Sequence, residues 1–174
     1  MRFHRRSVAR SAQAFAFAAA ALIVSLPALA PVPAAADTGS FAALAGVWTG
    51  GGTIALDNGT KERLRCRVQY VVTNSGTNLQ QALSCSSVTY KFQVNAYVND
   101  KGGSLSGNWT EVTRNASGTV SGRASGSQIS IGVAAGGAFS AHMNLVTSGG
   151  SQSVDIKVKG SDITDVSVSL SKAH

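Results

Sequence analysis

Residues 64–85 decide the fold, and they read LRCRVQYVVTNSGTNLQQALSC. Apolar and polar residues alternate on both sides of Ser75 and Gly76, which is typical of two antiparallel strands joined by a tight turn. A two-residue turn at these positions pairs residues whose numbers sum to 151, so Cys66 faces Cys85 across the hairpin. We expect a disulfide there in an oxidising compartment. Two free thiols or a metal site are the alternatives, and the chain has no second cysteine pair to complete a metal site.

The same register separates the two faces of this hairpin. One face carries the cysteines and apolar residues, with Val68 opposite Leu83. The other face carries a ladder of three arginines, which could meet an anionic headgroup, a polysaccharide or a protein partner. Solubility and protection of a sheet edge are the alternative explanation of the ladder. Its members are Arg63, Arg65 and Arg67.

Alternation with a period of two recurs from Gly46 onward, broken by clusters of Gly, Asn, Asp and Ser that tolerate positive φ. Short turns favour sequential antiparallel neighbours. We therefore expect an all-β domain folded as a single antiparallel meander barrel of about 8–10 strands, with a β-sandwich as the alternative. The expected strands are 46–56, 61–73, 78–86, 89–99, 103–113, 117–125, 127–135, 138–147, 152–159 and 163–171.

The N-terminal segment has the pattern of a cleavable secretory signal peptide. Its first ten residues hold four arginines and no acid, residues 14–24 are all apolar, and Ala34, Ala35 and Ala36 provide a cleavage site. A membrane anchor is the alternative, but this apolar run is shorter than the roughly 20 residues that span a bilayer. We expect residues 1–36 to be removed and the product to be periplasmic or secreted.

The remainder is the size of one domain. We expect residues 37–45 to be a short lead-in that docks Phe41 and Leu44 on a barrel formed by residues 46–174. The full chain has a net charge of +7, and loss of the four signal-peptide arginines lowers it to +3. Nucleic-acid binding then has little support from composition, and we expect no nucleic-acid partner.

The segment Leu44-Ala45-Gly46-Val47-Trp48 resembles the Gly-x-Trp opening of the first strand in lipocalins and the wider calycin families, including avidin-like barrels. The resemblance implies that Trp48 closes the base of a barrel and that the protein binds a small ligand. The same opening, with export and one cysteine pair, also resembles small periplasmic inhibitors of bacterial metalloproteases. That resemblance implies a flexible N-terminal segment that inserts into the protease.

A closed barrel of about eight strands is wide enough to hold one small ligand. We expect binding of a small apolar molecule or lipid in the interior. The alternatives are a periplasmic protease inhibitor or other module that binds an envelope protein, and a small outer-membrane β-barrel whose apolar face meets lipid. We expect the processed chain not to span a membrane. The residues expected to point into the interior are Trp48, Tyr70, Tyr90, Phe92, Trp109, Phe139 and Met143.

Few residues offer catalytic chemistry. His142 points away from the apolar face by alternation, and the sequence identifies no hydrogen-bonding partner that would make it a general base. No Gly-x-Ser-x-Gly turn occurs, and no helix follows the glycine cluster at 46–52 to bind phosphate. We expect no enzymatic activity, no cofactor and no metal. A pocket that holds His142 beside Glu111 or an aspartate would reverse this.

Overall fold

A computed structural model of the chain describes residues 38–137 and 139–173. The expected signal peptide, Asp37, residue 138 at the start of an expected strand, and His174 lie outside the described residues. The described part contains one short 3₁₀ helix, Ala42–Leu44, and a tight turn at Asn74–Gly76, and no helix in it is long and apolar enough to cross a bilayer. It also contains ten strands: β1 (Gly46–Leu56), β2 (Lys61–Thr73), β3 (Asn78–Ser86), β4 (Lys91–Lys101), β5 (Ser104–Glu111), β6 (Ala116–Ser125), β7 (Gln128–Ala135), β8 (Phe139–Ser148), β9 (Ser151–Lys159) and β10 (Ile163–Lys172).

The strands form one closed antiparallel meander barrel. Each strand pairs with its neighbours in sequence, and β1 also pairs with β10 to complete the ring. The expected all-β meander barrel is therefore confirmed, and the sandwich alternative is wrong. Closure leaves β2 paired on both sides, so protection of a free edge does not explain the arginine ladder.

The first three strands have the expected bounds, whereas β4 begins two residues later than the expected 89. The reason is a turn over residues 87–90, in which the backbone N–H of Ser87 donates to the carbonyl of Tyr90 at 2.8 Å. Tyr90 therefore lies in this turn and not in the strand. The β5 strand ends at Glu111, two residues earlier than expected, because the Glu111 carboxylate binds the backbone of the next turn.

The hairpin of β2 and β3 has the expected register. Cys66 pairs with Cys85 and forms the expected disulfide. Ser75 and Gly76 have φ values of 53° and 97°, and the backbone N–H of Thr77 donates to Asn74 at 3.2 Å. These features are those of a two-residue hairpin turn with both central residues at positive φ.

Side chains alternate between an apolar interior and a polar exterior. Inward positions of β2, for example, are Leu64, Cys66, Val68 and Tyr70, and all are buried. Outward positions of most strands carry Ser, Thr, Asn, Gln and the charged residues, and nearly all are exposed. The hydrophobic effect thus favours burial of one face of every strand, and ring closure buries all these faces together.

The lead-in covers one end of the barrel. Phe41 and Leu44 are 1% and 2% exposed, so both pack against the inner side chains. The backbone N–H groups of Gly39 and Phe41 donate to the carbonyls of Ser75 and Gly76 at 2.8 Å and 3.0 Å. This end, called the closed end below, is where β1 begins and β2 ends.

Candidate ligand site in the barrel interior

The inner face is sealed at the closed end and accessible toward the opposite end, called the mouth below. Phe41, Leu44 and Trp48, each at most 2% exposed, form a tightly buried group at the closed end, and the core continues along β2 toward the mouth. A side chain that points into a closed barrel can reach solvent only through interior space or the mouth. Partial exposure of inward residues therefore shows that solvent reaches the inner face in the mouth half. The half-buried inward residues of this half include Leu83, Phe92, Val94, Val133, Ala135, Phe139, Met143, Ile156 and Val166.

Two of the seven expected ligand residues lie at the closed end. Trp48 has no exposed surface, and its indole N–H donates to the Leu44 carbonyl at 2.7 Å. Tyr70 is 5% exposed, and its hydroxyl donates to the Gln152 side-chain oxygen at 3.1 Å. Burial raises the pKa of Tyr70, so the phenol stays neutral. Both side chains complete the base, and the position of Trp48 is the one that the Gly-x-Trp resemblance implies.

Trp109 and Phe139 form an aromatic wall between β5 and β8. Their ring centroids are 5.8 Å apart and the rings are tilted by 48°. Gly118 lies on the intervening strand β6, where a Cβ would be 1.7 Å from the Ala134 carbonyl oxygen and 3.0 Å from the indole nitrogen. The Trp109 N–H is buried and has no hydrogen-bond acceptor in the described part of the chain. Ala135 of β7 is the other inward residue between the two rings.

Tyr90 and Phe92 lie at the mouth. Their rings are stacked, with centroids 5.9 Å apart and an interplanar angle of 4°. The Arg114 guanidinium carbon lies 5.0 Å from the Phe92 ring centroid and 5.8 Å from that of Tyr90, within the range of cation–π attraction. The Tyr90 hydroxyl donates to Asp162, which raises the pKa of Tyr90 and lowers that of Asp162. The mouth thus combines apolar rings with a cation.

Glu111 holds the turn that carries Arg114. Its carboxylate accepts the backbone N–H groups of Gln93 at 3.0 Å and Arg114 at 2.7 Å, and also binds Thr113. Burial opposes ionisation, but these hydrogen bonds outweigh it and keep the pKa of Glu111 below its ordinary value. The carboxylate is therefore a structural cap for the turn between β5 and β6.

The remaining expected residues lie in different places. Met143 is half-buried on the inner face of β8, in the accessible half. Arg63, Arg65 and Arg67 are exposed on the outer face of β2. His142 is exposed on the outer face of β8, where its ring nitrogen lies 3.2 Å from the Ser130 hydroxyl. It is not brought together with Glu111, which points to the inner face.

No group of three His, Cys, Asp or Glu side chains suited to a metal occurs in residues 38–137 and 139–173.

Two shallow grooves lie on the outer surface. One, of about 390 Å³, is lined by His142, Lys157 and Lys159 among others. The other, of about 270 Å³, runs beside Arg67 over β3 and β4.

The sequence pattern does not show the role of Gly50 and Gly52. No helix follows the glycine cluster of β1 to bind phosphate, and both residues face inward where β1 meets β10. A Cβ on Gly50 would lie 2.0 Å from the Ser169 carbonyl oxygen, and one on Gly52 would lie 1.8 Å from that of Ser167. Only glycine permits this close approach, which brings the first and last strands together.

These features define a closed up-and-down β-barrel with one sealed end and an apolar interior. No protein-family model matches the sequence, and no curated protein matches it. The fold is similar to that in the crystal structure of Rv2717c from M. tuberculosis, with a TM-score of 0.61 and 12% sequence identity. The similarity covers 76% of this chain and 94% of Rv2717c, and at this identity it establishes the fold alone.

Proposed function

We propose that the protein binds one small apolar molecule or lipid in the mouth half of the barrel interior. The observation that carries this proposal is the partial exposure of inward apolar side chains there, whereas Phe41, Leu44 and Trp48 at the closed end are at most 2% exposed. Phe92, Trp109, Phe139 and Met143 would contact the ligand. Trp48 and Tyr70 would instead form the floor, and Tyr90 would lie at the entrance.

The direction of the side chains supports a barrel surrounded by water. A membrane-spanning barrel presents apolar side chains to lipid and polar ones to its lumen. Here the apolar side chains point inward and the outer positions are hydroxyl, amide and charged groups. An outer-membrane barrel is therefore the less favoured alternative.

The docked lead-in makes the alternative of a protease inhibitor less favoured. An inhibitor that inserts its N-terminal segment needs that segment to be free. Phe41 and Leu44 are instead buried, and Ser40 donates hydrogen bonds to Asp100 from both its hydroxyl at 2.6 Å and its backbone N–H at 3.2 Å. These contacts favour a role for residues 38–45 as a plug of the closed end.

Export is part of the proposal. The expected signal peptide lies outside the described residues, and the disulfide between Cys66 and Cys85 supports an oxidising compartment. A periplasmic or secreted binder would meet its ligand outside the cytoplasm. We propose no catalytic step and no cofactor for the chain.

The test is a titration with the fluorescent apolar probe N-phenyl-1-naphthylamine. Two neighbouring alanines of β7 provide a matched pair, since Ala135 points inward and Ala134 is exposed on the outer face. We expect Ala135→Trp to fill the interior and weaken probe binding at least tenfold, a change of about 1.4 kcal/mol. Ala134→Trp should leave the affinity within about twofold.

Circular dichroism of both variants controls for folding. No saturable binding by the native chain, or equal binding by a folded Ala135→Trp variant, would overturn the proposal. If Ala135→Trp fails to fold, Met143→Trp, at another inward position, replaces it with the same expected result.

A further inference from the structure

The outer face of β2 carries an uncompensated row of positive charge. Arg63, Arg65 and Arg67 occupy successive outward positions and are exposed. Neither of the two ion pairs in residues 38–137 and 139–173 involves them, since these pairs are Arg114 with Glu111 and Lys157 with Asp165. Alternate residues of a strand are roughly 6.6 Å apart, so the three charges form a line.

The neighbouring strands leave this row accessible and add no negative charge. Outward positions of β1 beside the arginines are Thr49, Gly51 and Thr53. On the other side, Arg65 and Arg67 pair with Ser86 and Ser84 of β3. The outward positions of β1 to β5 contain no acidic residue. Because the barrel is closed, this charge pattern is not needed to protect a sheet edge.

A groove of about 270 Å³ begins at Arg67 and crosses β3 to β4. Its lining includes the polar residues Gln69, Ser84, Gln93 and Asn95 together with the apolar residues Ala82, Leu83 and Val112. Amides and hydroxyls can each donate and accept hydrogen bonds, as sugar hydroxyl groups require. On β4, Tyr97 follows Asn95 on the same outer face and is 55% exposed. Aromatic rings stack on the apolar faces of sugar rings.

We propose that this face of β2 to β4 binds an anionic polysaccharide. The arginines would pair with carboxylate or sulfate groups along the polymer, because guanidinium groups form bidentate hydrogen bonds with planar anions. The groove amides would bind the sugar hydroxyls, and Tyr97 would stack on a sugar ring. This site is separate from the interior and does not depend on the interior ligand.

Other polyanions fit the surface less well. Docking to a membrane uses apolar and aromatic residues that enter the lipid, whereas five of the eight residues that line this groove are polar or charged and none is aromatic. Single-stranded nucleic acid binds on several aromatic side chains, and Tyr97 is the one aromatic residue at an outward strand position in the described part of this face. An acidic protein partner would need a continuous apolar interface centre, whereas the exposed apolar side chains here, Val71, Tyr97 and Val112, are separated by the polar positions Gln80 and Asn95.

The test is binding to polygalacturonate, measured by affinity electrophoresis and calorimetry at low ionic strength. Fully methyl-esterified polygalacturonate is the matched neutral polymer. We expect the double variant Arg65→Gln/Arg67→Gln to bind polygalacturonate about tenfold more weakly. A control with the same change in charge, Arg123→Gln/Lys159→Gln, alters exposed positions on other strands and should change the affinity less than twofold.

Tyr97→Ala should weaken binding of both the charged and the esterified polymer, because stacking does not depend on charge. Tighter binding to single-stranded DNA or to phosphatidylglycerol vesicles than to polygalacturonate would overturn the proposal. Equal losses in the two double variants would also overturn it, because binding would then follow overall charge. All these substitutions are at exposed outer positions, and circular dichroism and thermal unfolding of each variant control for folding.

Discussion

Single side chains determine which end of the barrel is closed. Trp48 donates to Leu44, and Ser40 donates to Asp100, so the lead-in is fixed by polar bonds as well as by apolar packing. Asp100 also accepts the backbone N–H of Gly103 at 2.6 Å. Burial raises the pKa of this carboxyl, but the hydrogen bonds outweigh burial and hold it below the ordinary value.

Asp100→Asn should make the protein less stable at neutral pH. Loss of the charge-assisted hydrogen bonds should lower the free energy of unfolding by about 1–3 kcal/mol. A depressed folded-state pKa contributes stability that is complete above the unfolded value of about 3.9 and is lost as the pH falls through the folded value. The difference between the variant and the native chain should therefore shrink below about pH 4.

Urea unfolding across the acidic and neutral range measures this difference. Asp155→Asn is the control, because the Asp155 side chain is exposed and accepts no hydrogen bond from the described residues. A destabilisation by Asp100→Asn that does not change with pH would contradict the assigned role of its carboxylate.

At the scale of single residues, the sequence predicts which side chains of the candidate site point inward but not where each lies along the barrel. Alternation identifies Phe92, Trp109, Phe139 and Met143 as inward residues, because strand periodicity depends only on local order. The Gly-x-Trp resemblance implies that Trp48 closes the base, but alternation cannot show that Tyr70 joins it there, since this depends on where the lead-in docks. Arg114 was also missed as a mouth residue, because its place over two rings depends on contacts between separate turns.

Among the elements, the β2 and β3 hairpin is the most fully specified by sequence. Its turn has residues that adopt positive φ, and its strands alternate without a break. The disulfide then fixes a register that the turn already sets. It closes a loop between residues 19 apart, which constrains the unfolded chain.

Cys66→Ser/Cys85→Ser should lower the free energy of unfolding by about 3 kcal/mol without changing the strand content. Denaturant unfolding and far-ultraviolet circular dichroism measure the two quantities. A reductant should destabilise the native chain to a similar extent and leave the variant unchanged. Equal stability of the native chain and the variant would contradict a stabilising role for the bridge.

The pairing of β1 with β10 depends on Gly50 and Gly52, and the alternation of polar and apolar residues does not reveal this role. Gly52→Ala should lower the stability by about 3 kcal/mol or more, since its Cβ would overlap the backbone of β10. Gly132→Ala is a matched change within β7, where the nearest atom to the new Cβ would be 3.9 Å away. Thermal unfolding should separate the two variants clearly, and equal melting temperatures would contradict this account of closure.

At the scale of the molecule, the closed barrel carries both proposed binding sites, one in its interior and one on the outer face of β2 to β4. Closure encloses the apolar faces and pairs every strand on both sides. The outward arginines are therefore not needed to protect a sheet edge and remain available for a partner. Alternation and short turns predict the meander, because each strand pairs with a neighbour in sequence. They favour a barrel over a sandwich, but they do not show how β1 and β10, at opposite ends of the chain, approach each other through Gly50 and Gly52.

The most direct test of the interior site is mass spectrometry of an organic extract. The full-length chain would be produced in a bacterial host, and its product purified without detergent, alongside Ala135→Trp and Ala134→Trp. The account predicts about one small apolar molecule per native chain, retained by Ala134→Trp and lost from Ala135→Trp, because a filled interior leaves no room for a ligand. An empty native chain, or the same molecule in equal amount from a folded Ala135→Trp variant, would contradict it.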